Sequence, residues 1–273
     1  TEYGRSMARV QGPVSGNVLL RREQYRRADN EDASAGMARG FVLAKIANCR
    51  TVLMRGAREI SDATASQSLA HASKELARIL DKLDNCHPLN VVRGIEGEAA
   101  DIYFSVFDHL IVSQKSEFYF RGRNRRPPTD NMNCLLSFLY TLLAHDTASA
   151  LECVGLDPQV GFLHRDRSGR PSLALDIMEE LRPIFADRLA LTLVNRQQVK
   201  ASGFKTTETG AVIMDDDTRK ELLVTYQKRK QEEIQHPFIE EQVAIGLLPH
   251  VQSMLLSRYL RGDLEAYPPF FWK

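Results

Sequence analysis

The sequence lacks a long hydrophobic run and a recognisable signal segment. Its longest apolar stretch, residues 134–144, is interrupted by Ser137 and Thr141. This stretch is well short of the roughly 20 apolar residues that a membrane span requires. Residues 1–20 contain no continuous apolar core of the kind found in signal peptides. We therefore expect a protein that neither spans a membrane nor has a membrane partner.

Cysteine is also scarce. The four cysteines (Cys49, Cys86, Cys134 and Cys153) are widely spaced and form no CxxC pair. This spacing argues against a zinc site or a disulfide framework. Because Cys49 and Cys134 fall in apolar helical patterns, we expect reduced, buried thiols and a cytoplasmic protein.

Charge is balanced overall but clustered locally. The 273 residues include 36 lysines and arginines against 35 acidic residues, a net charge of +1, which neither favours nor excludes a nucleic acid partner. A local cluster of charged residues in a sequence is usually just solvated surface. Arginine can also bind phosphate in bidentate geometry without base preference, so we interpret one loop as a candidate DNA contact. Its arginines are Arg121, Arg123, Arg125 and Arg126.

The hydrophobic pattern changes from strand-like to helical near residue 30. Residues 1–27 alternate and are broken by glycine and proline, a pattern that predicts strands. Helical spacing follows, and it predicts helices over 61–85, 96–110, 130–152, 172–195, 217–234 and 238–261, with a small hairpin over 203–214. We therefore predict a mainly α protein with a short β segment over 1–30 and an all-α domain over 31–273.

One segment, residues 155–183, combines a histidine with several carboxylates. His164 lies in a loop rich in glycine and proline, and the helical pattern that follows carries Asp176, Glu179 and Glu180. Residues three and four apart share a helix face, so we expect the three acids to project together. Imidazole nitrogen and carboxylate oxygen are ligands for Mn²⁺ or Mg²⁺. The same spacing also occurs in solvated acids near a helix start, and a lone histidine is more often a satisfied polar residue.

Two further features allow more than one interpretation. Ser137 and Tyr140 could suggest an enzyme nucleophile, but no histidine with a clear base role accompanies them. We interpret both as helix packing or as lining of an active site. The aromatic C-terminal residues 267–273 are either a tail folded on the core, which we favour, or a docking segment for a partner.

Several segments, in order along nearly the whole chain, carry a family resemblance. They are ARVQGPVSGNVLLRREQY at 8–25, AKIANCRTVLMR at 44–55, RGIEGEAADIYF at 93–104, RRPPTDNMNCLLSFLYTLL at 125–143, GLDPQVGFLHRDRSGRPSLALDIMEELRP at 155–183, HPFIEEQ at 236–242 and YLRGDLEAYPPFFWK at 259–273. Together they closely resemble the CRISPR adaptation integrases, the Cas1 family, and the last segment resembles members that accompany type I-C systems. Family members usually carry a larger β-rich domain first. The resemblance therefore implies that residues 1–30 are a shortened remnant of that domain and its linker, and that residues 31–273 are an all-α catalytic domain.

The resemblance also implies a metal site. In the family, the metal is held by the Glu of the IEG motif, the His of GFLH and an acid about one turn into the following helix. In this sequence these are Glu96, His164 and Glu179. Asp176 matches a nearby acid that supports the site. The competing ligands at the two carboxylate positions are Glu98 and Glu180.

The implied activity is that of a metal-dependent DNA endonuclease and integrase of antiviral defence, which inserts new spacers into a CRISPR array. A 3′-hydroxyl of the incoming DNA attacks a phosphodiester at the repeat edge, and Mg²⁺ or Mn²⁺ meets the negative charge that gathers on the phosphate oxygens. The implied partners are double-stranded DNA (prespacer and CRISPR repeat), a second copy of the chain in a homodimer, and the small ferredoxin-like protein Cas2.

Two other functions are compatible with the sequence. A non-catalytic DNA-binding scaffold of the adaptation complex is one, because the family dimerises largely through the β domain that is shortened in this sequence. The sequence contains all of the ligand motifs, which argues against a scaffold without catalytic activity. The other is a helical protein–protein adaptor whose acids are ordinary surface groups. Steep weakening of DNA binding with added salt would exclude the adaptor.

Overall fold

Helices dominate the structure, a computed structural model that describes residues 17–83 and 85–272. The α-helices of these residues are α1 (Val18–Ala28), α2 (Glu31–Glu59), α3 (Ala63–Lys82), α4 (Leu89–Ser105), α5 (Asn131–Cys153), α6 (Ser172–Leu181), α7 (Arg188–Asn195), α8 (Asp216–Gln231) and α9 (Leu248–Leu260). Short strands form two separate antiparallel pairs, β1 (Phe204–Thr206) with β2 (Val212–Met214) and β3 (Glu233–Gln235) with β4 (Gln242–Ala244). The predicted mainly α fold is confirmed.

The long helix α2 lies at the centre of the fold. Its start is fixed by Asn30, whose side chain accepts a hydrogen bond from the Ala33 N–H at 2.8 Å, an interaction that favours helix initiation. Buried residues occur along most of its length, and the helix packs on α3, α4 and α6. Lys45 and Asn48 are buried among the apolar residues. The centre of the fold therefore contains two polar side chains that need partners.

The helix α5 lies in the core, as its apolar sequence predicts. Asp130 caps its start by accepting a hydrogen bond from the Asn133 N–H at 2.7 Å. By length and composition α5 could cross a membrane, the one such helix within the described part of the chain. It packs instead against α6 and α9, and its fully buried leucines are Leu135, Leu136, Leu139, Leu143 and Leu151.

Most of the predicted helices form, with changed boundaries. The helices α3 and α5 match the predictions over 61–85 and 130–152, and β1 with β2 is the predicted hairpin over 203–214. The helix that contains Glu96 begins earlier than predicted, at Leu89. The predicted helix over 172–195 is interrupted at Pro183, because proline has no N–H to donate. A π-helical turn, Pro183–Asp187, joins α6 to α7 there.

Two local predictions are wrong. Residues 1–16 lie outside the described residues, but the predicted strand is replaced over Val18–Ala28 by α1, in which Leu20 and Gln24 lie one turn apart and form a buried stripe. The predicted helix over 238–261 begins only at Leu248, and β3 and β4 occupy much of the preceding chain. Pro237 lies between β3 and β4, in the segment that joins the two strands. The domain division at residue 30 stays a prediction.

All four cysteines are free thiols. Cys49 and Cys134 are buried, as predicted, and Cys86 and Cys153 are exposed. Burial raises the pKa of the Cys134 thiol to about 11 and raises that of Cys49 further. The two buried thiols are therefore inert parts of the core.

Candidate metal centre

Two glutamates from distant parts of the chain converge on one lysine. Lys45 of α2 forms an ion pair with Glu96 of α4, and its Nζ lies 2.8 Å from Oε2 of Glu179 on α6. The exposed fraction of the side chain is 6% for Lys45 and 3% for Glu179, against 27% for Glu96. The cluster is therefore closed on the Glu179 side and reached by solvent on the Glu96 side.

Glu179 is ionised although it is buried. Nη2 of Arg182 lies 2.9 Å from its Oε1. Burial alone would raise the pKa of Glu179, but the charges of Arg182 and Lys45 lower that pKa to about 2. Burial lowers the pKa of Lys45, but Glu179 and Glu96 more than compensate and raise it. Oε2 of Glu179 is the oxygen that faces the ammonium of Lys45, and it has no other partner with hydrogen-bond geometry.

Asp176 shapes the loop that carries His164. One oxygen of Asp176 accepts the N–H bonds of Phe162 and Leu163 at 2.6 and 3.0 Å. The other oxygen lies 3.0 Å from the main-chain nitrogen and 2.7 Å from ring Nδ1 of His164. Arg93 of α4 holds the same loop by donating from Nε to the Leu163 carbonyl at 2.5 Å. Both Asp176 oxygens are thus used within the loop, which suits a supporting acid better than a ligand.

The imidazole of His164 faces Glu179 with its other nitrogen. When Nδ1 donates to Asp176, Nε2 keeps its lone pair, and Nε2 lies 3.9 Å from Oε1 of Glu179. A carboxylate that fixes one imidazole nitrogen is the usual arrangement around a metal-binding histidine. The structure therefore brings Glu96, His164 and Glu179, the three predicted ligands, to one place.

The types of donor atom suit a divalent cation, but in this structure the two carboxylates are paired with Lys45. In residues 17–83 and 85–272, no group of three or more His, Cys, Asp or Glu side chains is arranged closely enough to hold a metal ion as it stands. The ammonium of Lys45 supplies the positive charge between Glu96 and Glu179. Two carboxylates and one imidazole with a free nitrogen are a mixed O/N donor set that suits Mg²⁺ or Mn²⁺.

The two competing acids point elsewhere. Glu98 is exposed and pairs with Lys82, with oxygen–nitrogen distances of 2.8 and 3.0 Å. Glu180 is fully buried, but its oxygens accept bonds from the Tyr267 hydroxyl at 2.7 Å and the Gln252 amide at 2.8 Å. The expectation that Glu180 projects together with Glu179 is wrong, because adjacent helical residues face different directions. The solvated interpretation of the acids on α6 is also wrong, because all three are buried.

Three residues of the site are not apparent from sequence reasoning: the buried Lys45 and Asp187, and the partly buried Arg182. The hydroxyls of Tyr140 and Tyr103 donate to Asp187, and Cζ of Arg182 lies 4.6 Å from the centroid of the Tyr140 ring. Burial raises the pKa of Asp187 to about 6 against these hydrogen bonds. A signal for Lys45 does exist, since it interrupts the apolar pattern of α2. A lone charge in such a pattern indicates a buried ion pair.

The predicted DNA-binding loop divides into two parts. Arg121, Arg125 and Arg126 are exposed. Arg123 instead donates to Oδ1 of Asn133 at 2.6 Å and to Oγ of Ser137 at 3.1 Å. Arg123 therefore belongs to the wall beside the site, and the other three form a basic surface whose contact with DNA stays a prediction.

The C-terminal tail, residues 267–272, is folded on the core, which confirms the favoured interpretation. Its Phe270 is fully buried, and the Phe270 N–H donates to Glu180 Oε2 at 2.7 Å. Asn48 of α2 donates to the Phe270 carbonyl at 2.9 Å and to the Glu180 carbonyl at 2.7 Å. The tail is thus tied to the two helices that carry Lys45 and Glu179.

Comparison with known proteins identifies similar sequences and folds. The family model described as CRISPR associated protein Cas1 matches residues 1–228. The CRISPR-associated endonuclease Cas1 1 of Chlorobaculum tepidum is 55% identical over 273 residues, which cover 100% of this chain and 80% of the relative.

Two solved structures have a similar fold. A casposase bound to its integration product has a TM-score of 0.82 at 21% identity, covering 98% of this chain and 72% of that chain. A Cas6-RT-Cas1–Cas2 complex has a TM-score of 0.80 at 24% identity, covering 100% of this chain and 29% of that chain. At these identities the similarity shows the fold alone.

Proposed function

The chain belongs to the CRISPR-associated Cas1 family, and from this premise we propose that it is a divalent-metal-dependent DNA endonuclease and integrase that inserts new spacers into a CRISPR array. One observation carries the proposal. Glu96 and Glu179 meet at the ammonium of Lys45, and Nε2 of His164 lies 3.9 Å from Glu179. Three separate segments of the chain thus contribute an O/N donor set beside a surface that solvent reaches.

Each residue has a role in the proposed reaction. Glu96, Glu179 and Nε2 of His164 hold the cation, which when bound supplies positive charge opposite the phosphate oxygens during attack by a DNA 3′-hydroxyl. Asp176 orients the imidazole through Nδ1 and so leaves Nε2 as the donor. Lys45 and Arg182 keep Glu179 ionised, so that it remains an anionic donor.

No side chain is required as the nucleophile. Oγ of Ser137 accepts a hydrogen bond from Arg123 at 3.1 Å, and the hydroxyl of Tyr140 donates to Asp187. Burial, together with the charge of Asp187, raises the pKa of Tyr140 well above its usual range, so the phenolate does not form near neutral pH. In the proposal, Ser137 and Tyr140 line the site and the nucleophile is the 3′-hydroxyl of the DNA.

The proposed partners are double-stranded DNA, a second copy of the chain and Cas2, with the cytoplasm as the location. Structures of similar fold include a Cas6-RT-Cas1–Cas2 complex and a casposase bound to its integration product, and these motivate the choice of partners. The free, buried thiols of Cys49 and Cys134 are compatible with a reducing compartment.

A strand-transfer assay with purified Cas2, a prespacer duplex and a CRISPR-repeat target tests the proposal. We expect activity with Mn²⁺ or Mg²⁺ and little with Ca²⁺. Glu96→Ala, His164→Ala and Glu179→Ala should each abolish strand transfer while circular dichroism shows an intact helical fold. Glu98→Ala and His71→Ala are matched controls, because both side chains are exposed, and both should keep activity. A fully active, metal-replete His164→Ala protein would remove the catalytic assignment.

A non-catalytic DNA-binding scaffold is the second candidate function. The observation that favours it is that Lys45 occupies the space between the two carboxylates, without a complete cage of acids and histidines among the described residues. A scaffold should bind DNA but show no Mn²⁺ binding by calorimetry and no strand transfer with Cas2. Mn²⁺ binding that is lost in Glu179→Ala would exclude it.

A further inference from the structure

A cavity of about 570 Å³ lies beside the second half of α2, apart from the metal centre. It is lined by Thr51, Met54, Arg55, Arg58, Glu59 and Trp272. The volume is in the range of sites that bind small ligands or parts of larger ones. The walls contain two arginines and an indole, and none of the proposed metal ligands contributes to them.

Two guanidinium groups lie against the indole of Trp272. Cζ of Arg55 is 3.7 Å from the ring centroid, and Cζ of Arg188, the first residue of α7, is 4.5 Å from it. The main chain of Trp272 is fixed as well. Its N–H donates to Oδ1 of Asn48 at 2.8 Å, and its carbonyl accepts a bond from Oγ1 of Thr51 at 3.5 Å. The indole is thus a platform that the fold itself holds in place.

Positive charge accumulates around this platform. Burial and then the charges of Arg229 and Arg55 lower the pKa of Arg188. Glu59 and Glu232 act in the opposite direction, but Glu232 is already paired with Arg229. The glutamates are therefore outnumbered by the arginines of this cluster, which are Arg55, Arg58, Arg188 and Arg229.

We propose that Arg55, Arg188 and Trp272 form the centre of a second phosphate-binding site, which holds the backbone of the DNA substrate; this inference rests on the proposed function. Guanidinium groups bind phosphate in bidentate geometry without reading the base. Stacking on Trp272 restricts both side chains in advance, so less conformational entropy is lost when phosphate binds. An excess of arginine over glutamate favours an anionic ligand, and a bound phosphate would relieve the repulsion among the guanidinium groups.

The position of the cluster suits a contact along the same DNA. Arg55 follows Lys45 on α2 by ten residues, which is about 15 Å at 1.5 Å per residue. This length corresponds to about four base pairs of B-form DNA. The separation of the two positions along α2 is therefore within the length of a short duplex.

Equilibrium DNA binding in EDTA tests the second site without catalysis. Fluorescence anisotropy with a labelled duplex, over a series of salt concentrations, gives the slope of log K against log salt. We expect the double variant Arg55→Gln, Arg188→Gln to lower the magnitude of this slope by roughly 1 to 2, because each lost phosphate contact contributes about 0.9. The charge-conserving variant Arg55→Lys, Arg188→Lys should keep the slope. The matched controls Arg78→Gln and Arg261→Gln change exposed arginines that pair with Glu75 and Asp263, and they should also keep it.

The outcomes separate this site from the proposed function. An unchanged slope in a folded double variant overturns the second site, even if strand transfer is normal. If the double variant does not fold, the single variant Arg188→Gln decides, with an expected fall of about 1. Inorganic phosphate that competes with DNA in the wild type but not in the variants supports the site. If phosphate binds at the site but the variants do not change the salt slope of DNA binding, DNA is not the ligand of the site. If the wild type shows no strand transfer but the double variant still lowers the salt slope of DNA binding, only the proposed function is contradicted.

Discussion

Nζ of Lys45 and Oε2 of Glu179 lie 2.8 Å apart in the interior of the protein, between two helices that are far apart in sequence. The same ammonium is paired with Glu96. Two carboxylates that converge would repel each other and would be costly to bury without a cation. Lys45 therefore stabilises the arrangement of the two glutamates before any metal ion binds.

Replacing Lys45 by methionine should make the stability of the protein depend on metal. We expect Lys45→Met to lose about 3–5 kcal/mol in EDTA, because it leaves buried carboxylate charge without a partner. Mn²⁺ should restore much of this loss, since it supplies the missing positive charge. Urea unfolding in EDTA and in Mn²⁺ measures both quantities. Lys82→Met, which removes an exposed pair with Glu98, should cost about 1 kcal/mol or less. An equal loss with and without Mn²⁺ would contradict this expectation.

The sequence predicts the ligand candidates but not the charge that organises them. Glu96, His164 and Glu179 can be named because each sits in a motif of the family. Lys45 interrupts the apolar pattern of α2, but this signal does not identify its partners, and a lysine can also extend its ammonium to solvent. Only the packing of α2 against α4 and α6 shows that its ammonium is buried between two acids.

Helical periodicity predicts where helices lie better than it predicts the direction of individual side chains. It predicts the long helices α3 and α5 well, because their apolar residues recur over several turns. It groups Glu179 with Glu180, although the two side chains bind on different sides of α6. Only tertiary packing distinguishes them, because the C-terminal tail supplies the partners of Glu180.

Glu180 should make the stability of the protein fall as the pH rises. Burial raises the pKa of Glu180 to about 7 from 4.5, although hydrogen bonds from Phe270, Tyr267 and Gln252 oppose the shift. Between these values the folded protein binds a proton that the unfolded chain does not, so stability falls as pH rises through this window. We expect Glu180→Gln to remove a decline of about 2 kcal/mol between pH 5 and 7.

Urea unfolding of both proteins at several pH values checks this expectation. Asp187, whose pKa is raised to about 6 for the same reason, contributes a decline of the same sign to both proteins. The difference between the two curves therefore isolates Glu180. Glu98→Gln is the matched control, because Glu98 is exposed. Parallel curves for the wild type and Glu180→Gln would show that Glu180 does not titrate in this window.

The arginine loop should separate into a DNA contact and an internal support. The triple variant Arg121→Gln, Arg125→Gln, Arg126→Gln changes exposed residues, so we expect a salt slope that is lower by about 2 to 3 and an unchanged melting temperature. Arg123→Gln should instead lower stability by about 1–3 kcal/mol, because it loses bonds to Asn133 and Ser137. Anisotropy and thermal melting distinguish the two effects. A triple variant with a wild-type salt slope would exclude the loop as a DNA contact.

Gly161 tests whether the loop before α6 must hold His164 in place. A Cβ atom at this position would lie 2.8 Å from Oδ2 of Asp176 and 2.8 Å from the main-chain carbon of Ser172. A main-chain atom cannot move without moving the loop. The Asp176 oxygen is also fixed, because it already accepts hydrogen bonds from two N–H groups of the loop. We expect Gly161→Ala to displace His164, to reduce strand transfer about 10- to 100-fold and to raise the Mn²⁺ concentration for half-maximal activity.

The matched control is Gly36→Ala. Gly36 lies in α2 with nothing within 4 Å of the added methyl group, so this change should stabilise the helix by about 1 kcal/mol and keep activity. Comparing the two variants distinguishes the general effect of replacing a glycine by alanine from the specific effect of displacing His164. If Gly161→Ala shows a wild-type Mn²⁺ dependence, the loop tolerates the methyl group without moving the imidazole, and the orientation of His164 by Asp176 does not limit metal binding.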